Sequence, residues 1–390
     1  MKVTNLDYIS ANPLSPEVKE AMIEAIKKDY GNPSSTHSFG DEARDAIDKA
    51  RENVALLINS PSPDNIVFTS SGTESINHAI KGVAFAHAKK GKHIITSNIE
   101  HNSVLKSLRR LTKLGYTVTS VEVDKNGVVD PANVQKAITD QTILISIMHG
   151  NNEIGTIQPI KEIARIAQEN NVLFHSDCVA SVGVIPIDVQ ESGIDLISFA
   201  ANQFNGPSGV GGLYIRKGVS LFPLIDGGGQ EGSRRAGTEN LIGIIGMGVA
   251  AEIANREMQS RLAHMKKLKN KLITGLKGNI GDIIINGHPE LSLPNLVSLC
   301  VKYIEGESIV LMLDEEKIAV STRSACASGS LRASHVLLSI DMDYADAQGT
   351  LIITFGKDTT EAEIDRFVDV LKKVVAILRE MSPLYKKNKI

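Results

Sequence analysis

The chain has only three cysteines and no tryptophan among its 390 residues. Cys178, Cys300 and Cys326 are too few and too scattered to form a disulfide framework. None of them belongs to a Cys-x-x-Cys pair, so the spacing excludes that common type of structural zinc site. A reducing compartment suits such a chain, and we expect a cytoplasmic protein.

Long apolar runs and an excess of one charge are also absent. No stretch of about 18 apolar residues occurs, so we expect no membrane span, and the N-terminal residues lack the apolar segment of a signal peptide. The net charge of −3 provides no general basic field that would favour nucleic acid. With 42% hydrophobic and 22% charged residues, the composition is typical of a folded globular protein.

Short β-rich segments alternate with amphipathic segments of helical length over much of the chain. This alternation predicts an α/β fold, in which a mostly parallel sheet is covered by helices on both faces and ligands bind outside the carboxyl ends of the strands. We predict a large domain over residues 16–255 and a smaller second domain formed by residues 256–390 together with 1–15. A long helix over about 239–275 is expected to be broken near its middle. The predicted strands are 65–69, 93–97, 117–123, 143–148, 172–175, 196–200 and 212–215.

A turn from a strand into a helix, Phe68-Thr69-Ser70-Ser71-Gly72-Thr73-Glu74, is rich in small residues. Small residues let backbone N–H groups approach an anion, and a helix N-terminus favours negative charge. Taken alone, the turn is explained more simply as a plain helix cap.

Further motifs follow a specific order along the chain, and together with this turn they resemble the cysteine desulfurases of the NifS/IscS family, which are class-V aminotransferases. The resemblance implies the pyridoxal-phosphate (PLP) transferase fold of type I, with a mostly parallel seven-stranded sheet, helices on both faces and a smaller α/β C-terminal domain. The motifs are Gly31-Asn32-Pro33-Ser34-Ser35-Thr36-His37, Glu100-His101-Asn102-Ser103, Asn151-Asn152-Glu153, His175-Ser176-Asp177, Arg235-Ala236-Gly237-Thr238 and Ser324-Ala325-Cys326-Ala327-Ser328-Gly329-Ser330.

The resemblance also implies residues that bind the cofactor. Gly72 and Thr73 would hold the PLP phosphate, and His101 would lie over the pyridine ring. Asn152 would contact the ring hydroxyl, and Asp177 would pair with the protonated pyridine nitrogen, which strengthens the electron sink.

Two other motifs imply the sulfur carrier and the oligomer. Cys326 would attack the substrate sulfur and become a persulfide. Thr238 would reach the cofactor phosphate of the partner subunit, so we expect a homodimer.

Several positions depart from the family pattern. Gln203 stands where the family has the lysine that forms the Schiff base with PLP, and a carboxamide cannot form an imine. Ala200 and Asn202 replace a serine and a histidine that hold the phosphate in the family. Ala180 replaces a glutamine that hydrogen-bonds the ring oxygen. Ile352 replaces the arginine that clamps the substrate carboxylate, and this change removes a bidentate charged contact.

Three hypotheses follow from this combination. In the first, the protein handles sulfur without covalent PLP, or without PLP altogether, and Cys326 carries a persulfide or ligates an iron–sulfur cluster; its partner would be an iron–sulfur scaffold or a sulfur-acceptor protein. In the second, it is an active PLP-dependent cysteine desulfurase that forms L-alanine and a Cys326 persulfide without the lysine. In the third, it is a non-enzymatic dimeric docking platform. Cys178, next to Asp177, is either a small buried residue or a second thiol within reach of Cys326.

Overall fold

The computed structural model describes residues 3–10, 12–322 and 333–387, and its elements follow the predicted alternation. The strands are β1 (Thr4–Asn5), β2 (Ile66–Thr69), β3 (His93–Ser97), β4 (Thr117–Val121), β5 (Thr142–Ser146), β6 (Leu173–Asp177), β7 (Leu196–Ala200), β8 (Gly211–Ile215), β9 (Ile283–Asn286), β10 (Leu296–Val301), β11 (Ile318–Ala319), β12 (Ser321–Thr322) and β13 (Thr350–Thr354). The helices are α1 (Pro16–Lys27), α2 (Ser38–Leu57), α3 (Gly72–Ala86), α4 (Asn102–Thr112), α5 (Pro131–Ala137), α6 (Ile160–Glu169), α7 (Val189–Ser192), α8 (Gln230–Ser233), α9 (Leu241–Asn279), α10 (Gly306–Glu315), α11 (His335–Ser339), α12 (Tyr344–Gln348), α13 (Glu361–Met381) and α14 (Pro383–Lys387).

A mixed sheet of seven strands, in the order β2-β8-β7-β6-β5-β3-β4, forms the centre of the larger part of the described chain. Strands β4, β3, β5, β6 and β7 pair in parallel, whereas β8 runs antiparallel to both of its neighbours. The predicted mostly parallel sheet is therefore confirmed, and the predicted strand ends differ from the observed ones by only a few residues.

Both faces of the sheet are buried along most of its strands, whereas the edge strand β4 is largely exposed. Side chains on a strand point alternately to opposite faces, and Val67 accordingly joins one apolar cluster while its neighbours Ile66 and Phe68 join another. The first cluster also receives side chains of α3 and α4, and the second receives side chains of α2, α6 and α9. The predicted helical cover on both faces is thus observed.

A second part of the chain is built around a four-stranded antiparallel sheet in the order β12-β13-β10-β9. Its apolar cluster gathers residues of α10, α13 and the C-terminal half of α9, together with Leu6 and Ile9 from the N-terminal segment. The division into residues 16–255 and residues 256–390 with 1–15 stays a prediction. No helix in the described part of the chain is long and apolar enough to cross a bilayer.

The expected break in the long helix is wrong, because α9 is one continuous helix of 39 residues. No proline interrupts the segment, and its apolar residues find partners along the whole length. Ile244 and Met247 in the first half pack into the cluster under the large sheet, whereas Leu268 and Leu272 in the second half pack into the cluster of the second part. A single helix therefore belongs to both parts.

We expect the contact of α9 with the second part to be a major source of stability. Leu272 is fully buried, and Leu272→Ala should lower the free energy of unfolding by about 2–5 kcal/mol because it removes buried apolar surface and leaves a cavity. Leu311, which is 69% exposed on α10, supplies the matched control, and Leu311→Ala should change stability by less than about 0.5 kcal/mol. Urea unfolding of both variants measures the difference, and equal midpoints would contradict it.

Candidate functional site

A cavity of about 480 Å³ lies where the carboxyl ends of β2, β3, β5, β6 and β7 meet. This is the edge at which ligands bind in sheets of this kind, and the volume is in the range of small-molecule sites. The lining residues are Ile9, Ser10, Ser71, Gly72, Thr73, Ile76, His101, Ser103, Met148, Gly150, Asn152, Asp177, Val179, Ala180, Ala200, Asn202 and Gln203.

The structure brings most of the predicted site residues together here. Gly72, Thr73, His101, Asn152 and Asp177 all line the cavity, and so does the substituted position Gln203. Two predicted residues do not join them. Thr238 lines a separate cleft of about 170 Å³, and Cys326 lies outside the described residues.

The N-terminus of α3 opens into the cavity. Ser71 caps the helix, with its hydroxyl oxygen accepting from the backbone N–H of Glu74 at 3.2 Å. The N–H groups of Gly72 and Thr73 have no acceptor among the described residues, so they remain able to bind an anion. A Cβ at position 72 would lie 2.6 Å from Cγ2 of Val179, so glycine at this position is explained by packing.

Asp177 ends β6 and is only 5% exposed. Its Oδ1 accepts from the backbone N–H of Val179 at 3.0 Å, and no described side chain donates to the carboxylate. Burial raises the pKa of Asp177 to about 6, because the ionised form is poorly solvated. A positively charged ligand group next to this carboxylate would favour the ionised form.

A second buried acid, Glu100, lies behind the cavity wall. Its Oε1 accepts from the Ser97 hydroxyl at 2.6 Å and from the Met148 N–H at 3.0 Å, while its Oε2 has no partner among the described residues. Burial raises the pKa of Glu100 to about 8, and the nearby charge of Asp177 adds to this rise. Sequence reasoning quoted Glu100 only as the neighbour of His101, because nothing local shows that it is buried.

His101 caps a helix, a role that the sequence analysis did not predict. It is the N-cap of α4, and its Nδ1 accepts from the Ser103 N–H at 3.2 Å and contacts the Ser103 hydroxyl oxygen at 2.6 Å. The imidazole is exposed at the cavity mouth. Helix capping and a position over a ligand are therefore compatible for this side chain.

Gln203 is attached to the N-terminal segment. Its Nε2 donates to the carbonyl oxygen of Ile9 at 3.0 Å, and Asn12 Nδ2 donates to the carbonyl oxygens of Gln203 and Tyr8, at 3.1 Å in each case. No described residue lining the cavity is a lysine or an arginine. The sequence analysis did not identify Asn12 as a contact of this site, because its partners are backbone carbonyl oxygens.

Three of the other substituted positions are apolar and contribute to packing, although Ala180 and Ala200 also line the cavity, as does Asn202. Ala180 and Ile352 belong to the same apolar cluster as Ile9, and Ile352 is fully buried within β13. Ala200 is buried at the end of β7. The structure therefore uses as apolar core two positions where the resemblance implies polar or charged ligand contacts.

Two of the three cysteines are buried away from the cavity. Cys178 packs in the cluster under the large sheet, and Cys300 lies in β10 with its thiol 3.0 Å from the Asp346 carbonyl oxygen. Burial raises the pKa of each thiol to about 12, so the reactive thiolate is strongly disfavoured. This environment favours a packing role for Cys178 over a role as a second reactive thiol.

The residues that follow the undescribed segment 323–332 contact residues next to the cavity. Ser334 donates to Oε2 of Glu153 at 2.5 Å, and His335 Nε2 contacts the Glu100 carbonyl oxygen at 2.9 Å. Ser334 and His335 therefore contact the chain neighbours of Asn152 and His101.

Comparison with known proteins shows similarity along nearly the whole chain. The sequence profile of the family described as Aminotransferase class-V matches residues 4–367. Cysteine desulfurase IscS of Dictyoglomus turgidum is 50% identical over 385 residues, covering 99% of this chain and 98% of that protein. Cysteine desulfurase IscS of Methanosarcina thermophila is 47% identical over 387 residues, covering 99% and 95% respectively.

The fold likeness is equally extensive. A solved structure of a NifS-like protein is 40% identical, covers 96% of this chain and 100% of its own, and superposes with a TM-score of 0.91. The predicted PLP-transferase fold of type I is confirmed by this likeness.

The cavity fits the body of PLP but not its covalent attachment. The free N–H groups at the start of α3 suit a phosphate, and the buried carboxylate of Asp177 suits a pyridine nitrogen. Imine formation needs a primary amine, which Gln203 does not have.

Because Glu100 is buried, we expect the stability of the protein to depend on pH. Folded Glu100 keeps its proton up to about pH 8, whereas the unfolded carboxyl group loses it near 4.5. The free energy of unfolding of the unchanged protein should fall as pH rises through this window, by about 1.4 kcal/mol per pKa unit of difference. Glu100→Gln stays neutral and should remove most of the fall between about pH 6 and 8, as measured by urea unfolding.

The control for this prediction is Glu20→Gln, because Glu20 is exposed on α1 and its charge is hydrated in both states. This variant should follow the pH profile of the unchanged protein. If Glu100→Gln and the unchanged protein give parallel profiles, ionisation of Glu100 does not lower the free energy of unfolding, and the prediction is wrong.

Proposed function

The chain belongs to the NifS/IscS cysteine desulfurase family of class-V aminotransferases, and from that premise we propose that it transfers sulfur through Cys326 without covalently bound PLP. The observation that carries the proposal is Gln203, three residues after the end of β7, whose Nε2 donates to the Ile9 carbonyl oxygen; no described lining residue is a lysine. The nitrogen of a carboxamide is not nucleophilic, so this side chain cannot attack an aldehyde.

Sulfur transfer at Cys326 requires only thiol chemistry. The Cys326 thiolate attacks the outer sulfur of a persulfide on a donor; a new S–S bond forms, the S–S bond of the donor breaks, and the donor leaves as a thiolate. The exchange neither consumes nor releases electrons. Cys178 and Cys300 are unsuited to it because burial holds their thiol pKa values near 12.

The next acceptor would be a thiol of an acceptor protein or an iron–sulfur scaffold. Delivery to a thiol repeats the same exchange with the roles reversed. In the iron–sulfur variant of the proposal, the Cys326 thiolate is one ligand of a cluster, and the scaffold supplies the others.

A bound PLP would be held by the residues that the structure places around the cavity. The N–H groups of Gly72 and Thr73 would bind its phosphate, Asp177 would pair with its pyridine nitrogen, and His101 and Asn152 would contact the ring. We further propose a homodimer in which the partner's Thr238 contributes to the phosphate site. PLP, when bound, supplies an electron sink for bond cleavage at an amino acid.

A second candidate function is PLP-dependent desulfuration of L-cysteine, as the names of the similar proteins indicate for those proteins. The chain would then have to move protons without a lysine. The side chains that titrate among the described lining residues are His101 and Asp177, since Gln203 neither gains nor loses a proton. Turnover by this route should be slow.

A persulfide-transfer assay tests the first candidate. The protein is incubated with a low-molecular-weight persulfide, and intact mass is measured after the remaining thiols are blocked. We expect the addition of one sulfur atom, and its loss in Cys326→Ala. Cys300→Ala is the matched control and should gain the sulfur as the unchanged protein does, because the Cys300 thiol is buried.

Three outcomes would contradict the proposal. Sulfur addition that persists in Cys326→Ala would remove Cys326 from the reaction. If the protein releases sulfide from L-cysteine when PLP is added, and does so at a rate typical of enzymes, the second candidate replaces the first. A protein that shows neither activity would support the docking-platform hypothesis.

A further inference from the structure

We propose that the cavity selects the amine form of the phosphorylated pyridine cofactor, pyridoxamine phosphate, over the aldehyde form. This inference rests on the absence of covalent attachment in the proposed function, and it names the ligand of the same site. It follows from three features of the described lining: an anion-binding end, a buried carboxylate and a neutral carboxamide where a lysine is expected.

The first two features bind any phosphorylated pyridine. The N-terminus of α3 offers the free N–H groups of Gly72 and Thr73, and helix termini favour phosphate. Asp177 is 5% exposed, and among described partners only the Val179 N–H donates to it. Its carboxylate can therefore accept a hydrogen bond from a ring N–H⁺. These contacts are the same for the amine, alcohol and aldehyde forms, so they provide affinity without selectivity.

The third feature distinguishes the forms. Nε2 of Gln203 is committed to the Ile9 carbonyl oxygen, which leaves Oε1 as the side-chain atom that can accept a hydrogen bond in the cavity. A carbonyl oxygen accepts from the ammonium of pyridoxamine phosphate but gains nothing from an aldehyde oxygen. Hydrogen bonds to a charged group favour a ligand by roughly ten- to hundred-fold in affinity.

The surroundings reinforce this preference. No described lining residue is a lysine or an arginine, whose permanent positive charge would repel an ammonium, whereas Asp177 supplies a carboxylate. The same lack of cations leaves the α-carboxylate of an amino acid without a described partner, and the arginine position of the family is the buried Ile352. An amine without a carboxylate is therefore the better fit.

Calorimetric titration of the full-length protein, dialysed free of cofactor, tests this selectivity. The probes are pyridoxamine phosphate, PLP, pyridoxine phosphate and inorganic phosphate. Pyridoxine phosphate is the matched neutral probe because it differs from the amine only by a hydroxyl group. We expect pyridoxamine phosphate to bind about ten-fold or more tightly than pyridoxine phosphate and PLP, and inorganic phosphate to bind most weakly.

Variants separate the contributions. Gln203→Met removes the acceptor at similar volume, so the preference for pyridoxamine phosphate over pyridoxine phosphate should decrease. Gln203→Lys places an amine in the cavity; it should weaken pyridoxamine phosphate about ten-fold and make PLP fixable by borohydride, seen as a mass increase of one pyridoxyl phosphate group. Asp177→Asn should weaken all three cofactor forms together, and thermal unfolding confirms that each variant folds.

Wild-type protein that binds PLP as tightly as pyridoxamine phosphate, or that binds none of the cofactor forms, would overturn the inference. Selectivity that is undiminished in Gln203→Met would also overturn it. Failure of the sulfur-transfer proposal can be distinguished from failure of this inference. Cys326→Ala should retain the full amine selectivity whether or not the unchanged protein accepts sulfur.

Discussion

The extended N-terminal segment is the constraint on which the rest of this structure depends, because it bonds to both parts of the molecule. Thr4 pairs with Ile318 in β11, and the Thr354 N–H donates to the Leu6 carbonyl oxygen at 2.8 Å. A few residues later, the Ile9 carbonyl oxygen accepts from Gln203, at the end of a strand of the large sheet. Ile9 is thus at once part of the second apolar cluster, part of the cavity wall and the partner of the substituted residue.

The polarity of the cavity follows from elements that are far apart in sequence. The N-terminus of α3 presents N–H donors, and Asp177 at the end of β6 presents a buried acceptor. Between them, the end of β7 contributes only neutral groups, Ala200, Asn202 and Gln203. The described lining therefore presents N–H donors at one end and a carboxylate at the other, and it includes no lysine that could hold a ligand as an imine.

Much of this site could be predicted from the sequence because a parallel sheet brings the carboxyl ends of its strands to one edge. The positions of Gly72, His101, Asn152 and Asp177 follow from that topology once the strands are recognised. The attachment of Gln203 to Ile9 could not be predicted, since it joins residues 194 positions apart and involves a backbone oxygen with no sequence signature.

Two other features could not be predicted from the sequence, because they also depend on tertiary contacts. Continuity of α9 depends on two separate apolar clusters that cover its two halves, and neither cluster is visible in the helix sequence alone. The protonated state of Glu100 depends on complete burial by other elements. Motifs therefore identified residues that line one cavity, whereas its hydrogen bonds and the burial of its acids depend on tertiary contacts.

Alkylation of the two buried cysteines can show which part of the fold opens. Cys178 is enclosed by the core under the large sheet, and Cys300 lies in the central strand pair of the second part, so each thiol becomes available to an alkylating reagent only when its own surroundings separate. The order in which the two sites react reports which part of the fold opens first. Because α9 belongs to both cores, equal alkylation rates would mean that the two parts open as one cooperative unit.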